Sequence, residues 1–378
     1  MSQPALHIPS LNGVRAVAVL IVFVGHGFTA PGLWPGHVGV TIFFFLSGYL
    51  ITTLLRRERE KTGRIALGKF YLRRLLRIQP PALVAIALCV LVGVVAVPDT
   101  TQNAWGILAE VFNVTNYYMV AVFADTGNAH HGLPPESSML WSLAVEEHFY
   151  LLFPALMIGL ALLGADRRRT GWILLGMAAV APVWRIFLHL DGATFYRLYV
   201  STDTRYDGLL VGAAVALLWN PALGDRTPFA VSRQLIDRVL TPAALIVFAA
   251  AALAPHPFRL TVVDTLLYLC LVPIFWTLIA SPDHVLSRSM NHRWVAHIGL
   301  LSFSIYLLHR LVLAIVERGG LPAVVTDGVA FGVTIAAAQV VFVTVERPLG
   351  DVRKRLEGGA GRKAVATASE PGRLRKRE

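Results

Sequence analysis

GVTIFFFLSGYLITTLL, residues 39–55, is followed at once by Arg56, Arg57, Glu58, Arg59, Glu60 and Lys61. As a helix, such an uncharged run covers about 25 Å, close to the ~30 Å hydrocarbon core of a bilayer. A helix on the surface of a soluble protein would show a polar face within that length. The pattern recurs along the chain, at 11–29, 38–55, 80–98, 140–164, 171–190, 206–219, 240–255, 260–280, 296–316 and 323–345. These stretches predict an all-α, polytopic integral membrane protein of about ten transmembrane helices. A further apolar segment, 104–123, carries Glu110, Asn113 and Asn116. It is predicted to be a partial, re-entrant or interfacial segment, its polar groups buried against protein or water rather than lipid.

Composition agrees. Of 378 residues, 55% are hydrophobic and 15% charged, and mean hydropathy is +0.60. Soluble domains carry about 25% charged residues. The first apolar stretch has no small-residue cleavage site after it and reads as a span rather than a signal peptide. The net charge of +11 is unevenly placed. With the N-terminus inside and the spans alternating, the inside segments are 1–10, 56–79, 165–170, 220–239, 281–295 and 346–378. Together with Arg15 they hold 28 of the 34 Lys and Arg residues. That asymmetry is the positive-inside signature and predicts both termini in the cytoplasm. A full crossing by 104–123 would invert every later loop. The basic balance therefore reflects topology and contact with the lipid bilayer, and nucleic acid is not expected as a partner. Cys89 and Cys270 lie inside spans, where they read as small hydrophobes rather than a disulfide or metal site. Residues 1–350 are expected to form one membrane-embedded domain, and 351–378 a basic, disordered tail.

Charge inside a bilayer costs several kcal/mol, so ionisable residues in the spans call for a reason. They are Arg15, His26, Glu146, Glu147, His148, Arg185, Asp207, His309 and Arg310. Arg15 and His26 are eleven residues apart, which places them on one helix face about 16 Å apart along the axis. A cation at the mouth and an imidazole deep inside suggest a lined channel; an anchor and a packed hydrogen bonder are the plain alternatives. Ser47 and Tyr49 interrupt the second span, as substrate contacts or as small-residue packing. Phe70, Arg73, Arg74 and Arg77 recur at i, i+3, i+4 and i+7 on one helix face. Such a face suits a phosphate-rich ligand such as coenzyme A, since Arg pairs bidentately with phosphate, but it suits anionic headgroups as well. In WSLAVEEHFY, 141–150, Ser142, Glu146 and Phe149 share a face. The paired carboxylates cap the helix or act with a base such as His26.

The order IPSLNGVRAVAVLIVFVGH, GVTIFFFLSGYLIT, FYLRRLLRIQP, WSLAVEEHFYLLFP and LLSFSIYLLH, with Glu346-Arg347-Pro348 after it, resembles the membrane-bound acyltransferase family 3 from about Ile8 to Pro348. The resemblance implies transfer of an acyl group, acetyl above all, from cytoplasmic acyl-CoA to a hydroxyl of a sugar-containing acceptor. Surface glycans and some macrolides are acceptors in that family. It implies a bacterial cytoplasmic membrane and no metal. It implies a functional Arg15–His26 pair, donor binding by Arg73, Arg74 and Arg77, and a functional Glu146. His26 is then the expected proton acceptor, oriented by Glu146. Ser47, Tyr49, Trp141, Ser142, Asp207 and His309 are expected as substrate contacts or structural support. Asn12, Tyr49 and His148 depart from the family's commonest residues, Asp, Phe and Gln. The extracytoplasmic hydrolase-like domain of some members is not expected here, nor is a two-step handover between domains. A transporter or channel for an anionic solute is the rival reading of the same buried Arg and His residues; the absence of repeat symmetry speaks against it.

Overall fold

Backbone groups that cannot meet water must pair within their own helix. In the computed structural model, which describes residues 8, 10–27, 29, 36–97, 99–255, 258–353 and 355, every regular element is helical. Eight helices are long and apolar enough to cross a membrane: α2 (His37–Thr62), α3 (Leu67–Ala96), α6 (Ser138–Leu162), α7 (Arg167–Leu190), α11 (Arg233–Ala252), α12 (Arg259–Ala280), α14 (Arg293–Glu317) and α15 (Ala323–Arg353). Two shorter apolar helices, α1 (Leu11–His26) and α10 (Asp207–Leu218), complete the ten runs expected from the sequence. The outer helices keep large apolar side chains exposed, among them Val95, Leu152, Val183 and Ile246. In water such a surface would aggregate; against lipid it is the expected face.

The segment 104–123 is broken. α4 (Ala104–Val111) and α5 (Thr115–Thr126) meet at a turn where Asn113 takes a left-handed φ of 55°. Neither piece reaches the ~20 residues a crossing needs. The polar groups of the segment are held by protein: Asn116 donates to Thr202 Oγ1 at 2.9 Å, and Glu110 accepts from Ser137. The short helices α8 (Phe195–Val200) and α9 (Thr202–Arg205) lead into α10.

Every residue of α10 is buried, as expected for a helix that is apolar all round. It can sit at the centre because glycine lets backbones touch. A Cβ on Gly48 of α2 would strike the Leu209 carbonyl, and one on Gly212 would lie 2.9 Å from the Tyr49 nitrogen. On the other side of α2, Gly39 lies against the backbone of α1. Gly299 of α14 lies against Asn12 of α1. Two buried ion pairs lock this centre. Arg185 Nη1 donates to Asp207 Oδ2 at 3.0 Å, and Arg205 pairs with Asp264 beneath the rings of Phe44, Trp141 and Tyr199. α13 (Val285–Met290) joins α12 to α14.

The last spanning helix, α15, runs through Arg353. The rest of the tail, 356–378, lies outside the described residues.

Candidate active site

α1 and α14 run side by side in the same direction: Gly299 packs at the level of Asn12, and His309 meets His26. α2 crosses them antiparallel. Between these three helices, α3, α6 and the end of α15 lies a cavity of about 680 Å³. Its charged lining is basic on balance, with Arg15, Arg74, Arg77, Arg347 and Arg353 beside Glu146, Glu346 and Asp351. Leu46, Leu50, Leu143 and Phe303 supply apolar wall, and Ser47 and Ser142 add hydroxyls.

Arg74 and Arg77 face the cavity because they are three residues apart on α3. Arg73 is turned about 100° from Arg74 and leaves the site: its Nη2 meets Glu58 Oε2 at 3.2 Å. Of the three arginines expected on one face, two line the cavity, and Arg73 braces α3 against α2. Arg74 is stacked 4.9 Å above the Tyr150 ring, which restricts where its fork points. Arg15 takes Asn12 Oδ1 at 3.2 Å and lies within electrostatic reach of Arg77, Arg74 and Glu146.

Glu146 does not reach the histidine expected to need it. Its Oε2 accepts from the Tyr150 hydroxyl at 2.7 Å, an i to i+4 contact on α6, and Arg74 and Arg77 are its charged neighbours. The partner of His26 is His309: His309 Nε2 lies 3.3 Å from His26 Nδ1, with ring centroids 5.0 Å apart. Their hydrogens can be assigned from the partners. Carbonyl oxygens only accept, so His26 Nδ1, 2.8 Å from the Val22 carbonyl, carries a hydrogen. His309 Nδ1, 2.7 Å from the Tyr306 carbonyl, carries one for the same reason. That leaves His309 Nε2 without a hydrogen, facing the one Nδ1–H of His26 that the Val22 carbonyl already takes at the shorter distance, and leaves Nε2 as the basic atom of His26.

The cavity stops short of this pair. Its deepest lining on α14 is Tyr306, whose ring is 5.7 Å from that of His309. Tyr306 donates to the Met139 carbonyl at 2.9 Å and lies 2.6 Å from Ser142 Oγ. Three other expected site residues stand outside the cavity. Tyr49 donates to Asn220 Oδ1 at 2.5 Å, Trp141 packs on Phe44, and Asp207 holds Arg185. Sequence reasoning passed over Tyr150, Tyr306 and Glu346, although each lies in a stretch that carried the resemblance. The i, i+4 spacing of Glu146 and Tyr150 was the available signal. It also left Asp264 and Asp327, with His189 and His297, off the list of ionisable residues inside spans.

The class this defines is a polytopic integral membrane protein whose helical bundle encloses a cavity rich in arginine, with a histidine pair next to its inner end. The chain belongs to the acyltransferase domain family, which matches residues 8–345. Membership of a family described as an acyltransferase domain speaks for the enzyme reading over the transporter one. Over 312 residues it is 31% identical to the peptidoglycan O-acetyltransferase OatA of Listeria monocytogenes, covering 80% of this chain and 49% of that protein. Over 356 residues it is 29% identical to the O-acetyltransferase OatA of Staphylococcus aureus (strain NCTC 8325 / PS 47), covering 91% of this chain and 57% of that protein. The chain thus spans about half the length of these relatives. No solved structure matches it.

Proposed function

We propose that this chain is an O-acetyltransferase that takes an acetyl group from acetyl-CoA in the basic cavity and passes it to a sugar hydroxyl of a cell-envelope glycan. The observation that carries the reading is the cavity itself: Arg15, Arg74 and Arg77 converge at one end, and its floor abuts the His26–His309 pair. The donor's 3′-phosphate and pyrophosphate offer the oxygens that guanidinium forks match. An extended pantetheine arm then points its thioester toward Tyr306. The acceptor hydroxyl gives its proton to His26 Nε2 as its oxygen bonds to the acetyl carbon. The C–S bond breaks, and the proton passes from His26 to the leaving thiolate. His309 orients the imidazole in the place first assigned to Glu146, and Glu146 holds Tyr150 and the arginines in register. The basic mouth faces the cytoplasm in this reading, as the inside excess of Lys and Arg requires.

Purified protein in liposomes, given acetyl-labelled acetyl-CoA, should label glycan fragments carrying free hydroxyls. Peptidoglycan fragments come first because one relative is named for that polymer, and a macrolide glycoside is the comparison arm. Labelling of neither acceptor, with acetyl-CoA bound and intact, would overturn the acceptor class. Absence of acetyl-CoA binding would overturn the donor.

A further inference from the structure

The proposed reaction needs the thioester and His26 in one space, yet the structure puts a side chain between them. On α14, Gly299 lies at the level of Asn12, and Tyr306 stands seven residues further on, about 10 Å along the axis. His309 follows one turn later. The cavity ends on the Tyr306 ring, with Phe43 packed edge-on against it at 6.2 Å, while His309 and His26 lie on the far side. Tyr306 is buried and fixed by two hydrogen bonds to neighbouring groups, the Met139 carbonyl and Ser142 Oγ. Both come from the start of α6, which also supplies Glu146 to the cavity wall.

We propose that Tyr306 is a gate between the donor cavity and the histidine pair, latched shut by Ser142 and the Met139 carbonyl. Rotation of the ring away from its latch opens the cavity onto the histidine pair. The chemical need is clear. A thioester open to both His26 and water undergoes hydrolysis: water oxygen bonds to the acetyl carbon, C–S breaks, and the thiolate takes the water's proton. A closed ring keeps bound acetyl-CoA from that loss until the acceptor is in place. The latch is two hydrogen bonds between uncharged groups, the weaker class of such bonds, so the ring can leave it.

The inference rests on the functional reading above, so its test has one arm that needs no catalysis. In a chain with Cys89→Ser and Cys270→Ser, His26→Cys places a thiol beyond the gate. A membrane-impermeant thiol reagent is applied from the side of the basic mouth, identified by prompt labelling of Lys69→Cys. Labelling at position 26 should be slow with Tyr306 and at least tenfold faster with Tyr306→Phe, which keeps the ring and loses both latch bonds. Ser142→Ala removes one bond and should fall between; it carries the test alone if Tyr306→Phe does not fold. Equal labelling rates across the three would overturn the gate. The second arm uses His26 intact. Tyr306→Phe should raise acceptor-independent hydrolysis of acetyl-CoA relative to transfer. Unchanged partition between hydrolysis and transfer in an active Tyr306→Phe enzyme would also overturn it. Faster labelling with no acetyl-CoA cleavage in any variant would leave the gate standing and remove the acetyltransferase reading.

Discussion

The two guanidiniums that face the cavity and the one that does not make a sharp contrast on a single helix turn. Arg74→Ala with Arg77→Ala removes two phosphate partners and should raise the KM for acetyl-CoA at least tenfold. Arg74→Lys should recover part of the loss, because an ammonium cannot form the fork or stack on Tyr150 as guanidinium does. Arg73→Ala should leave that KM unchanged, since Arg73 is committed to Glu58. Its half-exposed pair is worth about 0–1 kcal/mol, a small shift in thermal unfolding. A donor KM that responds to Arg73 as strongly as to Arg74 would contradict the geometry. At the histidines, His26→Gln keeps a hydrogen-bonding group without a base and should lower transfer by about 10²- to 10⁴-fold while acetyl-CoA still binds. His309→Gln leaves His26 Nε2 in place and disturbs only its orientation, so its loss should be smaller. Near-normal transfer by His26→Gln would move the acid–base role elsewhere.

At the scale of the helix, legibility divides by the kind of information involved. Ten apolar runs were readable because lipid demands long uncharged helices, and their order identified the family. The break of 104–123 was signalled by Glu110, Asn113 and Asn116, which cannot face lipid unpaired. The direction of an individual side chain within a turn was not readable. Arg73 and Arg74 carry the same chemistry on adjacent residues, and only the packing of α2 on α3 decides which one meets the ligand. The partner of Glu146 was misread for a related reason. His26 and Glu146 lie on different helices, and sequence gives no distance between them, whereas Tyr150 is one turn away on the same helix. The π-helical turn at Phe342–Glu346, which ends with Glu346 on the cavity wall, leaves no mark in the apolar pattern. Beyond the spans, the loop after α10 is pinned to α2 by charge. Arg56 Nη1 meets Asp225 Oδ2 at 2.5 Å, and Arg167 Nη1 meets the same oxygen at 3.0 Å. Burial raises the Asp225 carboxyl, but hydrogen bonds from Arg56 and the Asn220 N–H outweigh it and hold the group below its ordinary range. Its folded pKa is thus below the unfolded value near 3.9, so this contribution is fully present above about pH 4. It is lost as pH falls through the lower folded value. Asp225→Asn should lower the unfolding temperature at pH 7, and the difference from the parent should shrink only in strong acid. A gap that is constant from pH 7 to pH 2 would show that the carboxylate charge contributes nothing.

Seen across the whole molecule, one parity decides where the donor enters and where the acceptor is met. The ten spans bring the chain back to its starting side only if α4 and α5 together do not cross. Their lengths of 8 and 12 residues are each too short for a ~30 Å core. Their polar ties run to protein: Gln79 Nε2 donates to the Val111 carbonyl at 3.1 Å, and the Asn103 N–H donates to the Gly132 carbonyl at 2.9 Å. In the re-entrant reading the pair dips in and returns, and the loop that follows lies on the side where the segment began. Reporter fusions after Arg57, Arg168 and Arg353 should read cytoplasmic, and fusions near Asp125 and Gly192 external. The basic mouth, with Arg74 at the start of α3 and Arg347 at the end of α15, would then open to the cytoplasm, where acetyl-CoA is made available. His26 would lie toward the opposite face, where an envelope glycan is met. A cytoplasmic signal near Asp125 would mean that α4 and α5 make one crossing. Every later loop would invert, and α3 and α15 could no longer share a mouth on one side of the membrane.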